Sequence, residues 1–454
     1  MVSIPPPITQ MKTEFERARR WRRGRHEPLQ FGDIRWEALD RFLTLGFPTM
    51  QAEEWRFTDV APISEKIFTL ALPSANDVKY LSLVPLQLPG DFATELVFVN
   101  GYFLGAEPSR AVLPTGMRLG SLSQVLDSNA TEVTSYLARV APFAYRAFVA
   151  LNTALFVDGA CILIPAHTVF EKPIHVRFIS TGEADMRPAM SNPRLLVVLG
   201  DQGRATVVES YVGPKGVQYF TNAVTEIVLG ESAVLDHYKL QCESNEAHHT
   251  SATNLVVACG ANCSRYCINV GGALVRDEVV AALGGEDAKC TLNGLYIADG
   301  ERLVDSHTTI LHMMQRCRSH QVYDGVLAGH ARGVFDGKIV IGAEANQSHA
   351  KQINRTLLLS EGARIDSTKH LEKLGKDAHC IQRRMIRRLG EEAGLHSSAY
   401  ASVRSRGMGD AEARRLVTYA FVRGMLKRLP LQRVAVGLEE LLQQQLESMM
   451  ASVV

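Results

Sequence analysis

From about residue 161 to residue 365, short apolar runs alternate with small or polar corners, and no helical period persists. Candidate strands follow one another: CILIP, HVRFIS, RLLVVLG, RATVVES, AVTEIVLG, AVLDHYKLQ, NLVVACG, CTLNGLYI, GVFDGKIVI and RTLLLS. Runs of this length between turn residues predict strands. Their corners share one form, a glycine, two further residues, then a small residue entering a strand. Gly230 to Ala233, Gly260 to Cys263, Gly285 to Ala288 and Gly342 to Ala345 are examples, and the first three small residues lie 30 and 25 residues apart. Repetition on this scale predicts a solenoid whose turns bury one another. Glycine at a corner permits backbone angles closed to other residues, and a small neighbour lets turns approach. The chain therefore reads as mainly β, with a parallel β-helix core. The main competitor is a β-sandwich, which also uses short strands and turn signals.

The flanks have helical patterning. Trp36, Leu39, Phe42 and Leu43 have helical spacing, and Gly46 and Pro48 stop that helix. Leu96 to Asn100 reads as a strand, and 134–153 as a further helix through Tyr136, Leu137, Val140, Phe143 and Phe148. Near the C-terminus, Asp410 can cap a helix with an apolar stripe of Ala413, Leu416, Val417, Ala420, Phe421 and Leu429. Pro430 ends it, and Val434 to Met450 gives a second amphipathic helix. These stripes either pack on the chain's own body or dock a partner, with Leu416, Ala420 and Phe421 as candidate docking residues. The expected division is an N-terminal helical and mixed domain at 1–155, a β-helix core at 156–380 and a C-terminal helical domain at 381–454.

Composition narrows the function. Of 454 residues, 46% are apolar, enough for a large core, and the net charge of +1 gives no bulk field toward nucleic acid or membrane. The basic run Arg17 to Arg25 follows Glu14 and Glu16 and reads as the solvated face of a first helix. No apolar run approaches the ~20 residues that span a bilayer. Residues 1–30 contain no apolar leader core, and the eight cysteines form no CxxC pair. A cytoplasmic protein with reduced thiols is expected.

Nucleotide and hydrolase signatures are missing. GPKG at 213–216 lacks P-loop spacing, and there is no GxSxG, HExxH or dinucleotide-binding fingerprint. No nucleotide is expected on this chain. Cys259, Cys263 and Cys267 recur every four residues, but strand-like surroundings read them as small interior fillers. Asp305, His307, His312, Cys317 and His320 offer ligands for iron or zinc, although His307 and His312 would face opposite ways on one strand. A stand-alone metal-binding β-helix is the corresponding alternative. Cys380, with His379 before it and Arg383 and Arg384 after it, could be a reactive thiol, but one cysteine in a basic segment reads better as an inert one. His370 lies upstream and His396 downstream.

Several motifs carry a family resemblance that covers most of the chain. GFPTMQAEEWRFTDV (46–60), FVNGYF (98–103), the run from Gly271 to His312, YDGVLAGHARGVFDGKIVI, NRTLLLS, SRGM and EARRLVTYAF all fit. The sequence resembles the SufB/SufD family, scaffold subunits of the SUF iron–sulfur cluster assembly machine. The EEWRFTDV form and the overall length are more similar to the SufD branch, with a SufB-like scaffold as the alternative. The resemblance implies a right-handed parallel β-helix, a SufB-like partner, and a SufC-like ABC-type ATPase on the C-terminal helices. It also implies a non-catalytic role, a homodimer in isolation, and transient iron or an iron–sulfur cluster at the subunit interface. Cys380 falls on the family's interface cysteine. The histidine expected two residues later is Gln382, and QRRMIR stands in place of an HGATVG turn. Half of the family's interface ligand pair is thus replaced, and His379 and His312 are weaker alternatives.

Overall fold

The computed structural model describes residues 6–23, 29–73, 91–107, 113–127, 131–184, 186–388, 400 and 402–451. Its centre is a two-sheeted parallel β-solenoid. Strands at odd places in the chain, from Arg194–Leu199 to Arg364–Lys373, stack in one sheet, and those at even places, from Arg204–Val212 to His379–Arg388, stack in the other. Val234 pairs with Asn262, and the column continues through Lys289, Arg318, His349 and His379. One turn therefore takes 27 to 31 residues, the differences between those numbers. The spacing of 30 and 25 misplaces one residue. Cys263 pairs with Leu235 inside the strand, and the corner position belongs to Ala261. The buried column runs Ala233, Ala261, Ala288, Cys317, Ser348 and Ala378.

Glycine serves these corners differently from the expectation. The left-handed residue lies two places before each even strand: Gln202, Ser232, Gly260, Asp287, Arg316, Gln347 and Asp377, with φ between 52° and 65°. Only one is glycine. All of these but Asp377, which precedes the outermost strand, are held by the next turn: Ser232 N–H donates to Cys259 O at 2.8 Å, Gly260 to Glu286 O at 2.8 Å and Arg316 to Asn346 O at 2.9 Å. The hydrogen-bond ladder between turns overrides the intrinsic cost of this backbone region. Gly230 and Gly285 are required by proximity instead. A Cβ on Gly285 would lie 2.1 Å from Cys259 N, and one on Gly230 would lie 2.7 Å from Asp201 N.

Helices cover both outer faces. The helices Pro6–Arg22, Leu29–Leu45 and Ala147–Leu155 bury Phe15, Leu39, Phe42, Phe148 and Leu151 with Phe220 and Leu274 of the odd sheet. Gly46, at φ 67°, ends the second helix, and its N–H donates to Phe42 O at 2.8 Å. The first helix is anchored through its basic run, since Arg17 donates to Leu70 O at 3.0 Å. Residues 135–146 are not helical, contrary to the periodicity. Buried Glu226 takes the N–H of Ala138 at 3.0 Å, Ala138 sits at φ 61°, and Pro142 follows. A tertiary acceptor and a proline thus replace the helical hydrogen bonds.

On the other side, the helices Asp410–Leu426 and Gln432–Ala451 bury Val417, Val422, Met425, Leu438, Leu442 and Leu446. They pack on Tyr238, Leu240, Tyr266, Ile268 and Ile297 of the even sheet. Leu431 N–H donates to the Tyr238 hydroxyl at 3.1 Å, and Arg428 pairs with Asp324 at 3.3 Å. No helix of the described residues is long and apolar enough to cross a membrane.

Candidate functional site

The solenoid finishes at an open end. Arg364–Lys373 and His379–Arg388 are the outermost strands of their sheets, so each has an edge with no strand beyond it among the described residues. The even sheet continues to Arg388, past residue 380. Interior-facing positions of this turn are half-exposed rather than sealed. QRRMIR is tolerated here for that reason: Arg383 lies on the outer face, exposed, and Arg384 donates to Ser367 O at 3.1 Å across the open mouth. His396 lies outside the described residues.

Cys380 points inward. It pairs in register with Ala350 and packs with Ile339, Ile341, Ala345 and Ala378. Burial pushes its thiol up, and Lys373 only partly offsets that. An activated thiolate is not what this environment makes, because Arg383 faces away and Arg384 is turned toward Ser367. His379 lies on the opposite face and stacks on His349 with ring centroids 5.3 Å apart. Gln382 has a structural role in place of a ligand role. Its amide donates to Gln352 Oε1 at 2.7 Å, and Gln352 follows Gln321 in the same interior column. Lys369 faces the same mouth from the other sheet and is drawn below its usual range by burial and by Arg384.

The 305–320 cluster does not converge. His312 is buried and hydrogen-bonded through Nε2 to Ser319 Oγ at 2.8 Å, and burial lowers its pKa to about 4. His307 faces the other way, with Nε2 2.9 Å from Asp305 Oδ1. Cys317 fills a corner, and His320 lies on the outer face of the even sheet. Cys263 and Cys267 are buried in the interior as fillers, whereas Cys259 is exposed at a turn. Among the described residues, no group of three or more His, Cys, Asp or Glu side chains is placed to hold a metal ion.

Two constellations escaped the sequence reading. The first explains EEWRFTDV. Trp55 lies over the Arg276 guanidinium at 3.7 Å, and Thr58 Oγ1 donates to Asp305 Oδ2 at 2.5 Å. Arg276 also pairs with Asp305. Burial pushes the Asp305 carboxyl up, but His307 and Arg276 hold it down at about 2. The motif is therefore a latch between the N-terminal region and the solenoid. The second is a charged interior. Asp277 accepts from Arg265 at 2.9 and 3.1 Å, from Lys239 at 2.9 Å and from Ser251 at 2.8 Å. Burial opposes ionisation of Asp277, yet Arg265 and Lys239 together hold it well below the carboxylate range. Glu209 nearby is pushed up by burial beyond what Lys239 and Arg265 recover. The available signal was parity: Lys239, Arg265 and Asp277 share strand faces with Leu235, Cys263 and Val279.

The C-terminal helices separate the predicted stripe. Ala413, Val417 and Leu429 are buried, Phe421 is half-buried with Arg355 over its ring at 5.7 Å, and Leu416 and Ala420 are exposed. Leu416 lines a groove between the two helices with Tyr419, Leu446, Glu412 and Glu447.

An open-ended parallel solenoid with helices on both faces defines a β-solenoid class of protein. Comparison with known families is decisive on which one. Residues 178–421 match the SUF system FeS cluster assembly SufBD core domain, and residues 14–176 match the SufBD protein N-terminal region. The chain belongs to the SufBD family of the SUF iron–sulfur cluster assembly system. It is 29% identical over 402 residues to a SufBD family protein of Synechocystis, covering 87% of this chain and 86% of that protein. It is 25% identical over 394 residues to the iron–sulfur cluster assembly protein SufD of Escherichia coli, covering 86% and 87%. Chloroplastic ABCI7 of Arabidopsis thaliana is 27% identical over 411 residues, covering 89% and 83%.

Proposed function

We propose that this chain is the SufD-type subunit of a SUF scaffold, a cytoplasmic, non-catalytic component that pairs with a SufB-like subunit and carries a SufC-like ATPase. The observation that carries this reading is the open end. Strands Arg364–Lys373 and His379–Arg388 leave a row of backbone donors and acceptors on each sheet edge. Such edges pair with another chain unless they are blocked. A partner solenoid placed there would continue both sheets and seal the half-exposed interior. Iron or a nascent cluster is the cargo of that junction, and Cys380 is the one thiol of this chain near it. With Gln382 committed to the glutamine ladder, most of the ligands would come from the partner. The exposed Leu416 and Ala420, beside half-buried Phe421, supply the apolar surface on which the ATPase would sit.

Affinity purification of the tagged chain under reducing, anaerobic conditions tests the reading. Both a SufB-like chain and an ABC-type ATPase are expected to co-purify. Recovery of the chain alone, or only as a homodimer, in cells expressing both partners would remove this assignment.

A further inference from the structure

The outer face of the even sheet carries a second surface, which reaches the open end at His379 and Ile381 but lies outside the helix groove. The C-terminal helices cover the later positions of these strands and leave the first and third uncovered. The solenoid register then stacks like on like. Lys289, Arg318, His349 and His379 form one column, and Thr291, His320, Lys351 and Ile381 form the next. Together they line a shallow depression of about 400 Å³ whose lining contains no Asp or Glu. Three strand steps at ~4.8 Å make the first column roughly 14 Å long, and two residues along a strand set the columns ~6.6 Å apart.

Several cations elsewhere on the solenoid are matched. Arg316 pairs with Glu286 and Asp287, Arg332 with Asp366, Lys338 with Glu372 and Arg355 with Asp324. Lys289, Arg318 and Lys351 have no ion-pair partner among the described residues. Asp287, whose charge Lys289 and Arg318 also feel, is bonded to Arg316 at 2.9 Å. Asp236, on the same face, is three strands from His320. The crowding is felt at His320, which burial, Lys351 and Arg428 hold below its usual range.

We propose that this strip is a docking surface for an acidic, extended segment of a partner protein, laid along the solenoid axis. The sheet amides beneath it are committed to the ladder, so no cradle of backbone N–H groups exists for a small phosphate. The cations are instead spread in a flat row, with Lys289, Arg318 and Lys351 on successive strands over ~10 Å along the axis, which suits the several carboxylates of an extended chain rather than one compact anion. Charge complementarity of this kind sets partner choice and encounter rate.

Fluorescence anisotropy on the full chain tests it, using a labelled Gly-Glu-Ser-Glu-Ser-Glu-Ser-Glu-Gly peptide at low ionic strength. Lys289→Glu with Lys351→Glu is expected to weaken binding by about tenfold or more. Lys12→Glu with Lys215→Glu changes the net charge equally at exposed positions off the strip and is expected to leave affinity within about twofold. A Gln-for-Glu version of the peptide should not bind. Circular dichroism checks that the variants stay folded. Equal effects of the two double variants, or no effect of either, would overturn the proposal. So would displacement of the peptide by inorganic pyrophosphate or a short oligothymidylate at lower concentration than by unlabelled peptide, since either outcome marks a general polyanion surface.

Discussion

Asp277 shows why single residues in this interior matter more than their number suggests. It is the shared counterion of Lys239 and Arg265, all three buried. Asp277→Asn leaves two buried cations without a full charge partner and is expected to cost about 3–5 kcal/mol in a urea unfolding titration. Replacing all three with apolar residues of similar volume should cost far less, because the penalty lies in the unpaired charge. Acid sensitivity follows from two other groups. Asp305 is held at about 2 in the fold against 3.8 for the unreacted carboxyl, a difference of about 2 kcal/mol present above pH 4 and lost as pH falls toward 2. His312 is held at about 4 against 6.5, so the unfolded chain binds its proton first. Its contribution is complete above pH 6.5 and is lost as pH falls toward 4. Stability measured against pH should therefore decline in both windows, and His312→Gln should reduce the slope of the upper one, to which buried His175 and His248 also contribute. An unchanged slope there would show that His312 titrates normally in the fold. The alternation of His307 and His312 was legible in the sequence. Asp305, the partner of His307, was legible too, two residues away on the same strand face, whereas Ser319, the partner of His312, lies on the next strand across a corner that spacing does not encode.

Two kinds of element carry the fold, the corner and the latch. Gly260 sits at φ 65° and Gly285 faces Cys259 N, so alanine fails at each for a different reason. Gly260→Ala should cost about 1–2 kcal/mol, the left-handed penalty that Ser232 and Arg316 already bear in other turns. Gly285→Ala should cost more, since its Cβ can be accommodated only by moving a neighbouring turn. Chemical denaturation of the two variants gives that order, and the reverse order would refute the distinction between conformation and proximity. In the latch, Trp55→Ala and Arg276→Gln should be non-additive by about 1–2 kcal/mol in a double-mutant cycle, because the stacked guanidinium is removed from water. The glycines were visible as punctuation, but their two roles were not. A glycine needed for proximity and one needed for φ look identical until the turns are stacked.

At the scale of the whole molecule, each sheet face and the open end has a different fate. The odd face is covered by the N-terminal helices, the even face is half covered by the C-terminal pair, and the open end is uncovered. This distribution separates stability from assembly. Leu416→Asp should leave the unfolding transition almost unchanged while reducing co-purification of the proposed ATPase partner. Val417→Asp, one residue away and buried, should loosen the helices from Tyr238 and Tyr266 and lower thermal stability. Equal loss of stability in both would mean that Leu416 is packed in solution rather than exposed.

By itself the sequence determined the mainly β class, the stacking of repeated turns, the flanking helices and the family. These follow from alternation, corner residues and motifs, which are local and repeat. Tertiary structure decided the register that put Ala261 rather than Cys263 at the corner. It also decided the inward turn of Cys380, the glutamine ladder that absorbs Gln382, and the latch between Trp55 and Arg276. Those outcomes depend on which turn lies above which, and a one-residue shift in a strand sends every side chain to the opposite face.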